Sequence, residues 1–318
     1  MLHFLRHVPR IEARAALTSF SAAILLLLLK FVAYFLTNSS AIFSDALESI
    51  ANVAAAGFAL YALHMAHRPA DSDHPYGHGK IEFLSAGFEG SMILTAALVA
   101  VLRACDALLH RADIHTEYLG VGLALLAVAL LVNGSVGFTL ARVGRHVGSA
   151  ALLADGRHLM SDAITSVAAI AGLVVVRLTR WNYADPIAAL LVAAYIGFMG
   201  LKLMRVAVGG LMDEQDESDD KLLKSILDAH LGPQGAEPRV CSYHKLRHRH
   251  SGRYHWVDFH VMVPPKWDVQ RAHDVASAIE YEIERAIGTG NATAHIEPCD
   301  TLNCDLCETS ASAPSPAV

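Results

Sequence analysis

Charge is what this 318-residue chain has least of. Asp, Glu, Lys and Arg supply 18% of the residues and hydrophobic side chains 53%, a balance too apolar for an ordinary soluble protein. Excess positive charge is missing as well: a formal net charge of −6 argues against a general nucleic-acid binder. Cysteine is sparse. There are five, Cys105, Cys241, Cys299, Cys304 and Cys307; an odd number with three crowded at the end does not read as a secretory disulfide framework. H-E-x-x-H, G-x-S-x-G and phosphate-loop motifs do not occur, so a membrane-bound hydrolase is disfavoured and no enzyme is expected. No small-residue cleavage site follows the apolar run after Arg6, Arg10 and Arg14, so that run is expected to be a retained first helix and not a signal peptide.

What the chain does have is long apolar runs, at roughly 13–36, 39–66, 81–109, 117–141, 150–177 and 184–208. Each is long enough to cross a bilayer. The 66–80 segment between the second and third is a polar loop. Arg6, Arg10, Arg14, Arg68, Lys80, Arg142, Arg145, Lys202 and Arg205 fall on the side of both termini, and Arg111, Arg177 and Arg180 on the other. The asymmetry predicts both ends cytoplasmic, with six spans. A five-span chain is the alternative, with the 81–109 helix peripheral because of Glu82, Glu89 and Arg103.

Past Asp213 the composition changes. Ser218 is expected to cap a helix running to about His230, which Gly232-Pro233 stops. Val240–Arg247 and Tyr254–Val263 read as strands around a His250-Ser251-Gly252 turn. Asp268 is expected to cap an amphipathic helix with Val269, Ala272, Val275, Ala276, Ile279 and Ile283 on its apolar face, and Ala292–Glu297 is a third strand. The expected organisation is therefore a six-helix membrane domain (1–212), a small cytosolic α+β domain (213–300) and a Cys-containing, disordered tail (301–318).

Two stripes of polar residues interrupt the apolar helices. Asp155, His158 and Asp162 are spaced three and four apart, on one helix face. Asp45, Glu48 and Asn52 repeat that spacing in the second run. Such groups in an apolar slab are costly unless they pair, meet water or hold a cation. Facing each other, the stripes supply four ligands: Glu48, Asn52, His158 and Asp162. Asp45 and Asp155, one turn earlier, read as vestibule or capping residues. Arg157 either pairs with Asp45 or Glu48 or snorkels to the lipid headgroups.

The combination resembles the cation diffusion facilitator family, in its bacterial zinc/iron exporter branch, over residues 12–298. The resemblance is carried by Pro69-Ala70-Asp71-Ser72-Asp73-His74-Pro75-Tyr76-Gly77-His78-Gly79-Lys80 followed by Glu82, by Ala154-Asp155-Gly156-Arg157-His158-Leu159-Met160-Ser161-Asp162, and by His295-Ile296-Glu297-Pro298. It implies a homodimeric, proton-coupled antiporter of divalent metal cations (Zn²⁺, Fe²⁺ or Mn²⁺), embedded in membrane lipid, with a ferredoxin-like cytosolic domain. It implies further metal sites at Asp71, His74 and His78 and at His244, His260, His273, His295 and Glu297. It also implies a charge pair of Lys80 with Asp213. The chain departs from the family at Glu48 and Asn52, where relatives carry Asp or His and then Asp. The change removes one negative charge and makes the ligand set harder, which favours oxygen-preferring ions such as Mn²⁺ or Fe²⁺. His248, His250 and His255 match nothing in the family pattern and suggest an accessory metal loop. Cys299, Cys304 and Cys307, joined by Cys241 or a histidine, suggest a soft-ion site. The competing class is a non-transporting, membrane-anchored metal sensor or dimerisation protein.

Overall fold

The computed structural model describes residues 7–37, 40–110, 119–179, 184–232, 234–300, 304 and 306–307; side chains at 36–37, 40–48, 107, 110, 119–123, 168–169, 172–179, 184–185 and 188 lie outside that description. The chain divides into two compact units, Met1–Leu211 and Met212–Val318.

The first unit is all helical: α1 (Arg10–Thr37), α2 (Ser40–Ala66), α3 (Ile81–His110), α4 (Leu119–Val147), α5 (Ala150–Thr179) and α6 (Ala184–Leu211). Among the described residues, stretches of α1, α2, α3, α4 and α6 are long and apolar enough to cross a membrane. The α3 stretch, Ile81–Asp106, is one of them, so Glu82, Glu89 and Arg103 do not make this helix peripheral. The reason is where two of those charges point: Glu82 and Glu89 are fully buried. The unit is inside out relative to a soluble protein. Leu25, Leu102, Leu131 and Phe198 are exposed, while Asn133, Asp155 and His158 are buried. A lipid-facing surface demands that arrangement, because polar groups find partners only in the interior.

α5 is the central helix, packing against each of the other five. Its start is fixed by side chains. Ser149 accepts the Leu152 N–H (3.3 Å) and donates its hydroxyl to Glu82 Oε2 (2.5 Å), which also receives the Ala151 N–H (3.4 Å). A carboxylate from α3 thus sits on the positive end of α5. The α4–α5 turn closes through Gly148 at φ +71, a left-handed conformation that glycine adopts without strain.

Glycine also sets how closely α4 and α5 approach. A methyl group on Gly156 falls 2.5 Å from the Ala141 nitrogen and 2.9 Å from the Gly137 oxygen, and one on Gly144 falls 2.6 Å from the Leu153 nitrogen. These obstacles are backbone, which cannot rotate away.

The second unit holds α7 (Glu217–Ala229), β1 (Ser242–Ser251), β2 (Tyr254–Val263), α8 (Val269–Ile287) and β3 (Gly290–Pro298). This is the α-β-β-α-β order of a ferredoxin-like domain. The sheet runs β1-β2-β3, with β1/β2 antiparallel and β2/β3 parallel. Leu223 and Leu227 of α7, Val257, Phe259 and Val261 of β2, and Ile279 and Ile283 of α8 form its core. Val269 is 85% exposed and does not belong to the apolar face of α8, because that face begins one turn later. The cap of α7 is Asp216, not Ser218: its carboxylate accepts the N–H groups of Ser218 (2.8 Å) and Asp219 (3.3 Å). Asp268 does cap α8, accepting the Arg271 N–H at 2.7 Å.

The glycine contact yields a direct expectation. Gly156→Val should destabilise the membrane unit by about 3 kcal/mol, the upper end for overpacking, since the obstacle is backbone and leaves no rotamer escape. Leu131→Val, on the exposed face of α4, should leave the unfolding temperature in detergent nearly unchanged. Equal melting of the two variants would refute the close-packing role of Gly156.

Candidate functional site

Within the membrane unit three of the predicted ligands meet. The Asn52 amide of α2 bridges two residues of α5: its Nδ2 donates to Asp162 Oδ2 at 3.1 Å and its Oδ1 lies 3.2 Å from His158 Nε2. His158 Nε2 is 3.8 Å from Asp162 Oδ2, as their i,i+4 spacing allows. The side chains of Glu48 and Asp45, expected on the same stripe, lie outside the described residues. Asp155 is buried one turn before His158, and Arg157 is half-buried.

The site has a member that the sequence reading passed over. Glu89 of α3 is completely buried, neither of its carboxylate oxygens has a hydrogen-bond partner among the described residues, and Oε2 lies 4.0 Å from His158 Nδ1. It stands behind the imidazole, on the ring edge opposite Asn52. The available signal was its position: Glu82 and Glu89 are seven residues apart and so share one face of an otherwise apolar helix.

The loop before α3 gathers Asp71, His74 and His78 within 4.8 Å of one another. Asp71 Oδ1 accepts the backbone N–H groups of Asp73 (3.1 Å) and His74 (2.8 Å) and meets His74 Nδ1 at 3.1 Å, while Oδ2 lies 3.3 Å from His78 Nε2. The His74 backbone bond, ahead of the two imidazoles, holds the Asp71 carboxyl below its ordinary range. The group stays ionised and presents oxygen and nitrogen donors from one tight turn. Lys80 reaches the Leu211 carbonyl at 3.5 Å, and Asp213 pairs with Arg249 Nη1 at 3.3 Å.

In the second unit, strand register assembles a cluster that sequence spacing alone cannot show. His244, His260 and His295 occupy one rung across β1, β2 and β3. Glu297, two residues further on the same face of β3, reaches His260 Nδ1 (2.8 Å), His244 Nε2 (3.1 Å) and His295 Nε2 (3.8 Å). The His260 bond lowers the Glu297 carboxyl, aided by the charge of His244. His273 is exposed on α8 and is not in the group of His244, His260 and Glu297 whose ligand atoms lie within 4.8 Å.

At the other end of β1 and β2 the three histidines without a family counterpart meet α7. His250 Nε2 lies 2.8 Å from Asp219 Oδ2, His250 stacks on His255 at 4.1 Å, and His255 Nε2 lies 3.1 Å from His248 Nδ1. Burial, then the neighbouring His250, pushes His255 down to about 4. Cys299, Cys304 and Cys307 converge with Cys241; the rest of the expected tail, 301–303, 305 and 308–318, lies outside the described residues.

Comparison with known proteins bears on both units. The profile of the cation efflux transmembrane domain matches residues 16–212, and that of the cation efflux protein cytoplasmic domain matches residues 235–299. The uncharacterized transporter sll1263 of Synechocystis sp. is 38% identical over 92% of each chain. The cation-efflux pump FieF of Escherichia fergusonii is 29% identical over 92% of this chain and 95% of its own. Metal tolerance protein 2 of Oryza sativa subsp. japonica is 30% identical over 84% of this chain and 73% of its own.

The buried histidines predict a pH response. An unfolded His255 binds its proton near pH 6.5, whereas the folded one resists it to about pH 4. The unfolded state therefore holds more protons between those values, and stability rises with pH across the window. Lowering the pH from 7.5 to 5 should selectively reduce the hydrogen-exchange protection factors of β1 and β2, each referred to the intrinsic rate at that pH, and His255→Asn should flatten that dependence. An unchanged pH slope in the variant would contradict the assignment.

Proposed function

Since the chain belongs to the cation diffusion facilitator family of cation-efflux transporters, we propose that it exports a divalent transition-metal ion from the cytoplasm in exchange for protons. The observation that carries this reading is the meeting of Asn52, His158 and Asp162 between α2 and α5. It supplies an amide oxygen, an imidazole nitrogen and a carboxylate around one point, inside a unit whose exterior is apolar. Glu48, on the same stripe of α2, completes the ligand set.

The reaction is ion exchange without covalent chemistry. Ligation requires the neutral imidazole and the ionised carboxylate, so metal binding and protonation compete for the same atoms. From the cytoplasmic side the ion replaces protons and the Asn52 bonds. From the other side protons return and expel it. Glu89 is a positioning residue in this scheme. A carboxylate behind Nδ1 favours the tautomer with the proton on that nitrogen and leaves the Nε2 lone pair for the ion. Residues 1–212 form the transport domain. Residues 213–300 form a cytosolic dimerisation domain, in which His244, His260, His295 and Glu297 bind metal and clamp two copies together. The membrane is the inner one, with both termini cytoplasmic, and Asp71, His74 and His78 bind a further ion at its surface.

The ligand set favours harder ions than an all-anionic one does. In proteoliposomes with an imposed pH gradient, His158→Ala and Asp162→Ala should each lower metal flux at least about tenfold, the loss of roughly 1.4 kcal/mol or more of ion binding. Asn52→Asp, which restores the missing charge, should raise Zn²⁺ flux relative to Mn²⁺ and Fe²⁺. Flux that persists in His158→Ala, or is indifferent to the pH gradient, would overturn the antiport reading.

A further inference from the structure

The cysteines are unexplained by transport. Cys241 precedes β1, Cys299 follows β3, and Cys304 and Cys307 come from the chain beyond. One ligand atom from each of the four lies within 4.8 Å of the others, and Cys241 Sγ is 3.7 Å from Cys307 Sγ. A tetrahedral zinc site with metal–sulfur bonds of about 2.3 Å has sulfur–sulfur edges of about 3.8 Å. None of the four is paired in a disulfide.

The fold holds two of these thiols on a rigid frame. The Cys241 N–H donates to the Met262 carbonyl and the Cys299 N–H to the Val263 carbonyl, each at 2.8 Å. The end of the central strand thereby fixes one cysteine on either flank. The other two come from a C-x-x-C step, and Leu306 between them is buried, with 7% exposure. That step places two thiols on one turn, as in zinc knuckles and ribbons. A hydrophobic anchor and two thiols thus bring the tail back onto the sheet it has just left.

We propose that Cys241, Cys299, Cys304 and Cys307 form a tetrathiolate site for a d¹⁰ divalent ion of the Zn²⁺ and Cd²⁺ class, which staples the chain beyond β3 to the end of the sheet. Four sulfurs with no oxygen donor select such an ion over Mn²⁺ or Fe²⁺. The site is therefore chemically distinct from the nitrogen and oxygen cluster of His244, His260 and Glu297. It is closed, with all four positions taken by protein, as structural sites are. Bound metal also restrains β3 two residues beyond Glu297, so the thiolate ion stiffens the strand that presents that carboxylate. None of this depends on the ion that the membrane unit carries.

Cobalt reports the donor atoms directly. Full-length protein, purified in detergent, reduced and stripped with a chelator, is titrated with Co²⁺. The wild type should develop the intense thiolate-to-cobalt charge-transfer absorption and tetrahedral ligand-field bands, saturating with one equivalent, and Zn²⁺ should abolish them. Cys304→Ser/Cys307→Ser should lose the charge-transfer intensity at least tenfold, while His260→Ala/Glu297→Ala should keep it. A second measurement needs no variant: Zn²⁺ should slow iodoacetamide modification of Cys304 and Cys307 in the wild type at least tenfold, read by peptide mass. A reduced wild type without the thiolate band, a band that survives the double serine change, or alkylation indifferent to Zn²⁺ would each overturn the site.

Discussion

The membrane unit depends on one amide. Asn52 donates its N–H to Asp162 and its oxygen accepts from the His158 ring, tying α2 to the most central helix of the bundle. In an apolar slab such a bridge meets little competition from water, which makes polar partners on a neighbouring helix valuable. Much of the surrounding structure keeps that contact in place. Glu82 fixes where α5 starts, and glycines let α4 lie against the α5 backbone beside His158. Glu89 closes the back of the imidazole from α3. The groups that satisfy one another here are the donors proposed for a divalent cation, so the hydrogen-bond network and the proposed ion site draw on one set of atoms.

The second unit solves the same chemical problem on a different scaffold. In the bundle, ligands meet because i,i+4 spacing and helix packing face them inward. In the sheet they meet because strand register puts His244, His260 and His295 on one rung and Glu297 beside it. Here water is available, and the cluster is partly exposed. The family assignment, which rests on matches spanning both units, makes efflux of a metal cation the activity of the chain.

Much of this was legible in the sequence, for physical reasons. Long apolar runs leave few alternatives to spanning helices, and polar residues at helical spacing inside them stand out against that background. The alternating pattern and turn signals of the second unit gave its strands, and Asp268 gave the start of α8. Other features were out of reach. Glu89 looked like grounds for setting α3 at the periphery, because a sequence shows that a charge is present but not that it points inward. Asp216 displaced Ser218 as the α7 cap because both residue types cap well and only backbone geometry chooses between them. The sequence left Cys241 and a histidine as alternative partners of the late cysteines; the convergence on Cys241 rests on pairing across the sheet, which spacing cannot encode. Asp213 carries the family's charge at that position and also pairs with Arg249, a partner no local pattern announces.

The central claim is that a divalent ion sits between α2 and α5, held by Asn52, His158 and Asp162. Anomalous diffraction from crystals of the full chain soaked in Zn²⁺, recorded on both sides of the zinc absorption edge, tests it directly. The account predicts an anomalous peak within bonding distance of His158 Nε2 and the Asp162 carboxylate. Anomalous density confined to the surface loop, the sheet and the cysteines, with the Asn52 bridge intact, would contradict it.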